Sequence, residues 1–265
     1  MTDRTALNLF FATAKSAMPT IPKISLEVMR LCRQSTVDRE RIVEALVKDQ
    51  ALALKVLRIA NSAFFGYKGT VTSVDAAVVI VGIHTVRTTA VSEGMIRAFP
   101  TVPHLDFASY WQHALLTASL AEQLGRALGV DPDEASTAGL LHGVGVLLLH
   151  LWRPDAAGEI VREVPPLAFG ERAQRERELL GFDANDVAEE LVRRWELPLS
   201  LAPHGGSNNF DNDANVVKIA SKIATELVTG RVTEGEITKP FAISPSHFQR
   251  MCEVARAYAS AIAIS

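Results

Sequence analysis

Residues 110–129, YWQHALLTASLAEQLGRALG, and residues 138–149, AGLLHGVGVLLL, decide how the rest of the chain is read. In the first stretch Tyr110, Ala114, Thr117, Leu120, Ala121, Leu124 and Leu128 recur one helical turn apart, which marks a long helix over 107–128 with one apolar face. His113 falls on that face. In the second, Ala138, Leu141, His142, Gly145, Leu148 and Trp152 align in the same way on a helix expected over 133–151, with Pro132 suited to its first turn. Two histidines therefore point into one core.

Working outward, helices are expected over 23–33, 39–48, 51–62, 74–82 and 84–99, with Ser73 as an N-cap and the turn residues FGYKGTVT between the third and fourth. Pro100 and Pro103 break the chain before the long helix. Downstream, 171–180, 185–196 and 216–229 read as helices, Pro198 as a break and HGGSNNFDNDAN (204–215) as loop. Ser244-Pro245 opens a last helix whose buried face is Phe248, Met251, Cys252, Ala255, Tyr258 and Ile262. No strand pattern and no fixed repeat emerges.

The bulk composition agrees with an all-α chain: 265 residues, 48% hydrophobic but only 6% aromatic, with mean hydropathy +0.14. A net charge of −3 and no Lys/Arg cluster leave nothing to hold a phosphate backbone, so nucleic acid is not an expected partner. The opening MTDRTALNLFFATAKSAMP lacks the continuous apolar core of a signal peptide or a spanning helix, so no membrane association and a cytoplasmic location are expected. Cys32 and Cys252, each within an apolar helical pattern, read as core thiols rather than a disulfide or a zinc cage.

The stretches MPTIP (18–22), KDQALALKVLRIANSAFFG (48–66) and TSVDAAVVIVG (72–82) carry a resemblance. Together with the HD-like core of residues 110–129 and 138–149 and LLGFDANDVAEELVRRWELP (179–198), they resemble the HDOD family, the HD-related output domain of bacterial signalling proteins. Asp49, Leu52, Leu57, Ala60, Asn61, Ser62, Ala63, Ser73, Ala77 and Gly82 match its pattern, whereas Gln50 and Val81 replace the usual Pro and Leu. The resemblance covers roughly residues 18–204. It implies a two-lobed helical architecture: an N-terminal helix (1–17), an N-terminal lobe (18–100), an HD-like lobe (101–215) and C-terminal helices (216–265) packing on that lobe.

A catalytic HD site surrounds one or two divalent metals with imidazoles and carboxylates, so that bound water is activated and a phosphoryl oxygen polarised. Carried over by resemblance, His113 and His142 survive. The paired Asp is Gly143, the Lys of the same motif is Val146, the His of the GFD segment is Ala184, and Ser221 stands near the late Asp. No metal and no cofactor are expected: imidazoles without carboxylates match neither the charge nor the ligand number of a hydrolytic site. If a metal binds at all, His113 and His142 hold it, with His204 as a third nitrogen. Asp183, Asp186 and Glu189 are the carboxylates a rearranged site would draw on.

The bland reading of the two histidines is a pair of core-facing relics, each bonded to a backbone carbonyl or to the other ring. Gly143 and Gly145 either permit close helix approach or, at Gly143, leave a void. Asn61 and Ser62 read as the cap of their helix or, alternatively, as a polar floor for a small ligand between the lobes. Phe64 and Phe65 read as packing or a stacking platform, and ERAQRERE (171–178) as a solvated helix face or docking surface. The function expected is a non-catalytic signal-transduction module that binds signalling proteins supplied in trans. The alternatives are a metal-dependent phosphohydrolase or phosphodiesterase with a rearranged site, and a non-hydrolytic sensor of a small nucleotide.

Overall fold

The computed structural model describes residues 2–13, 19–32, 34, 36–99, 101–202, 211–230 and 243–263. All regular elements among them are helical. They form two compact units: residues 19–100 with 260–262, and residues 101–259 with 1–18 and 263–265.

Helix α1 (Arg4–Thr13) belongs to the second of these. The first contains α2 (Lys23–Cys32), α3 (Arg39–Val47), α4 (Gln50–Ala60) and α5 (Val74–Ala98). A short polar side chain in extended backbone starts each of the last three: Asp38 accepts from the Arg41 amide, Asp49 from Leu52 and Ser73 from Ala76. Asp49 also receives two bonds from the Arg97 guanidinium, at 2.6 and 3.1 Å, so one carboxylate both caps α4 and ties it to α5. Within α5, Gly82 has φ 78° and ψ 160°, a conformation open mainly to glycine. That bend separates the helices expected over 74–82 and 84–99.

The second unit continues with α6 (Phe107–Leu128), α7 (Pro132–Leu141), α8 (Val144–Trp152), α9 (Pro154–Glu163), α10 (Phe169–Leu180) and α11 (Ala184–Arg194). A 3-10 turn (Leu199–Leu201), α12 (Asp211–Thr229) and α13 (Pro245–Ile262) follow, the last three residues of α13 counting with the first unit. Helix α6 is the hub, packed most extensively against α7 and α12. Its predicted stripe is buried from Tyr110 to Leu124.

Three expectations need correction. The helix expected over 133–151 divides at His142-Gly143, where Gly143 takes φ −94° and ψ 3° and breaks the ladder between α7 and α8. Helix α12 starts at Asp211, inside the segment read as loop, while residues 203–210 lie outside the described residues. Helix α9, opened by Pro154 in its first turn, went unread because PDAAGEIVRE carries few apolar residues. Residues 74–98 and 132–152 are long and apolar enough to cross a membrane, yet 56% and 83% of their apolar windows are buried within the protein, and Gly82 and Gly143 interrupt them.

Candidate functional site

Helix α6 contributes His113, the end of α7 contributes His142 and α12 contributes Ser221, and the structure brings the three together. The imidazole centroids are 5.3 Å apart, and His113 is fully buried. His113 Nε2 lies 3.1 Å from the Ser221 carbonyl and 3.0 Å from Thr225 Oγ1. A carbonyl only accepts, so Nε2 carries the proton and donates. By the same logic His142 Nδ1 donates to the Gly139 carbonyl at 2.6 Å, which leaves Nε2 to accept from the Ser221 hydroxyl at 3.3 Å. Burial lowers the pKa of both rings, His113 to about 3 with the neighbouring His142 as a further cause, and His142 to about 4. Both are neutral at pH 7.

Phe169, the first residue of α10, closes the space beside them. Its ring centroid is 5.2 Å from His113 and 4.8 Å from His142. A side chain added at Gly143 would meet Tyr110 Cε2 and hydroxyl at 3.0 Å and Phe169 Cε1 at 3.1 Å. Gly143 therefore leaves no void, because aromatic rings stand where a carboxylate would project. Gly145 has a different reason: its added Cβ would lie 1.8 Å from the Ala184 carbonyl oxygen, so only glycine lets α8 meet the start of α11. No cluster of three metal-ligating residues exists among the described residues.

This donor set does not fit a hydrolytic metal. His113 Nε2 is committed to the backbone as a donor, the His142 lone pair is taken by a hydroxyl, and no carboxylate stands at Gly143 or Ser221 to neutralise a divalent charge. Asp183 and Asp186 form the capping box of α11, and Glu189 pairs with Arg193 one turn on, so the three carboxylates considered for a rearranged site are spent on helix structure. Ala184 sits at the start of α11, its N–H donating to Glu176 at 2.8 Å. His204 lies outside the described residues.

The other candidate residues lie in the unit of residues 19–100. The Asn61 amide donates to the Leu57 and Val71 carbonyls at 3.0 and 2.9 Å and its oxygen accepts from the Val71 N–H at 3.0 Å, so its side chain pins the turn after α4. Ser62 follows it, and Phe64 packs edge-on against Phe65 at 4.9 Å.

A second buried cluster was missed in the sequence. Arg172 and Glu176 in ERAQRERE are each 1% exposed, which corrects the solvated-face reading for those two charged residues. Arg172 Nη2 donates to Glu176 Oε1 at 3.2 Å and to His150 Nε2 at 3.1 Å, while His150 Nδ1 donates to the Pro103 carbonyl at 2.7 Å. Buried Asp183 pairs with Arg177 and caps α11. Burial pushes the Glu176 carboxyl upward, and the Arg172 charge and the Ala184 N–H draw it back. The i,i+4 spacing of Arg172 and Glu176 was visible, but the same spacing serves an exposed pair equally well.

Comparison with known proteins bears on this geometry. A crystal structure from Shewanella amazonensis SB2B, named provisionally as a phosphohydrolase, superposes with a TM-score of 0.76 at 25% identity, covering 97% of this chain and 98% of that one. An HDOD domain protein of unknown function from Geobacter sulfurreducens gives 0.69 at 23% identity over 95% and 88% of the two chains, a likeness of fold. An uncharacterised protein of Treponema pallidum (strain Nichols) is 25% identical over 207 residues, 74% of this chain. The chain spans 38% of that relative's length. The family model of the HDOD domain matches residues 18–203, well over half of the sequence and including helices α6 to α11 but not the α12 that carries Ser221, and on that match the chain belongs to the HDOD family.

Proposed function

We propose that this chain is a non-catalytic regulatory module of bacterial signal transduction, working in the cytoplasm by binding proteins supplied in trans, with its HD pocket kept as architecture. The observation that carries the reading is the ring of Phe169 against both imidazoles, with Tyr110 and Phe169 closing the position where a carboxylate would stand on residue 143. Catalysis by a metal needs an open coordination position and anionic ligands; neutral, hydrogen-bonded imidazoles under an aromatic ring offer neither. The signalling part of the reading is supported by the resemblance to the HDOD family and by the provisional naming of a structural neighbour in Marinobacter aquaeolei VT8 as a signal transduction protein.

The test is a metal analysis of the purified chain followed by assays of phosphomonoester and phosphodiester hydrolysis with manganese. The expected result is no stoichiometric metal and no turnover above that of the His113→Ala variant. Bound metal at one or two equivalents, with turnover that His113→Ala abolishes, would overturn the reading.

A further inference from the structure

Helix α1 lies outside the residues matched by the family model, yet the second unit holds it in a built site. Phe10 and Phe11 are 4% and 0% exposed, while Leu9 beside them is 64% exposed. The Phe10 centroid is 5.1 Å from Trp152 and 5.3 Å from Phe182. Phe11 stands edge-on to Trp152 at 5.7 Å, and the Arg194 guanidinium lies over it, 4.3 Å from its centroid. At the other end the Asp3 N–H donates to the Gly181 carbonyl at 2.8 Å. The Thr2 hydroxyl donates at 2.9 Å to Asp186 Oδ1, the oxygen that the capping box leaves over.

So the slot has two aromatic walls, a cation at one rim and backbone and carboxylate acceptors at the other. Such a surface recognises an amphipathic helix with an adjacent aromatic pair and donors at its N-terminus. Its present occupant is a short N-terminal helix. A ten-residue helix is marginal on its own in water, and ordering its backbone offsets most of what two buried rings contribute. A short terminal helix attached through one aromatic pair and two hydrogen bonds at its start is the kind of element that opens locally without unfolding the rest.

We propose that the Trp152–Phe182–Arg194 slot is a docking site for a partner helix bearing an adjacent aromatic pair, and that α1 occupies it in cis as a displaceable plug. This gives the binding role proposed above a place on the molecule, and its test is independent of whether the histidine pocket turns over substrate.

The probe is a fluorescent peptide of residues 1–18, its anisotropy titrated with the full-length chain. The Phe10→Ala, Phe11→Ala double variant, whose own α1 no longer competes, is expected to bind at least tenfold more tightly than wild type, and a peptide with the same two substitutions is expected to bind neither. Equal binding to both chains, or none to a variant with wild-type circular dichroism, overturns the proposal. Hydrogen exchange on the wild-type chain gives a reading that does not need the variant to fold. Amides of α1 are expected to exchange at least a hundredfold faster than those of α6, and exchange of α1 only with global unfolding would show it to be a fixed part of the core.

Discussion

Phe169 and Arg172 stand one turn apart on α10 and serve two buried clusters that handle polarity in opposite ways. Around Phe169 there is no charge: two neutral imidazoles bond to backbone carbonyls and hydroxyls, and aromatic rings fill the room a metal and its carboxylates would need. Around Arg172 the charges remain, because Glu176 is held by a guanidinium and a backbone amide, and Asp183 by Arg177 and two amides. A buried carboxylate is tolerated where donors already surround it and is costly where none do. The two clusters differ in what satisfies them more than in how deeply they are buried.

That contrast sets the order of the expected effects. Removing one member of the charged cluster strands its partner, so Glu176→Ala should cost about 3–5 kcal/mol in urea unfolding. An Arg172→Met, Glu176→Leu double variant should recover much of that loss; if it is as unstable as the single variant, the pairing argument fails. Gly145→Ala drives a methyl into the Ala184 carbonyl and should cost about 3 kcal/mol by overpacking. Gly143→Asp, which restores the missing carboxylate, should lower stability by about 1–3 kcal/mol because Tyr110 and Phe169 must give way. Its Tm should not rise with manganese, and a manganese-dependent rise would mean that the pocket still accepts a metal.

A further effect, spread over the pH scale, comes from the two imidazoles. Burial holds His113 and His142 at about 3 and about 4, whereas the unfolded chain titrates at 6.5. Between those values the unfolded state takes up protons that the native state refuses, so stability is full above pH 6.5 and falls as the pH drops toward 4. The slope is at most about 1.4 kcal/mol per pH unit for each imidazole. Glu176, pushed upward by burial, contributes in the opposite sense, since it protonates more readily in the folded chain. Urea midpoints measured from pH 7.5 to 5 should decline, and a flat profile would contradict the neutral buried pair.

The helical fold was legible because helix faces declare themselves by spacing: the α6 stripe, the N-cap at Ser73 and the helix start at Ser244-Pro245 appear in the structure where the residues place them. The meeting of His113 with His142 was legible for the same reason. What closes their pocket was not. Phe169 follows a loop with Pro165 and Pro166, so no periodicity marks its direction, and the break at Gly143 looked like the continuation of an apolar run. The burial of Arg172 and Glu176 was invisible because charge patterning does not tell a solvated pair from a satisfied one, and only the approach of α8 and α11 decides it.

The central claim is that His113 and His142 serve as structural hydrogen-bond partners and not as metal ligands. Long-range proton–nitrogen correlation spectra of the imidazoles read this directly. At pH 7 the proton should sit on Nε2 of His113 and on Nδ1 of His142, with neither ring shifted by excess zinc. A His113 ring protonated on Nδ1, or a zinc-induced shift of its Nε2 resonance, would contradict the account.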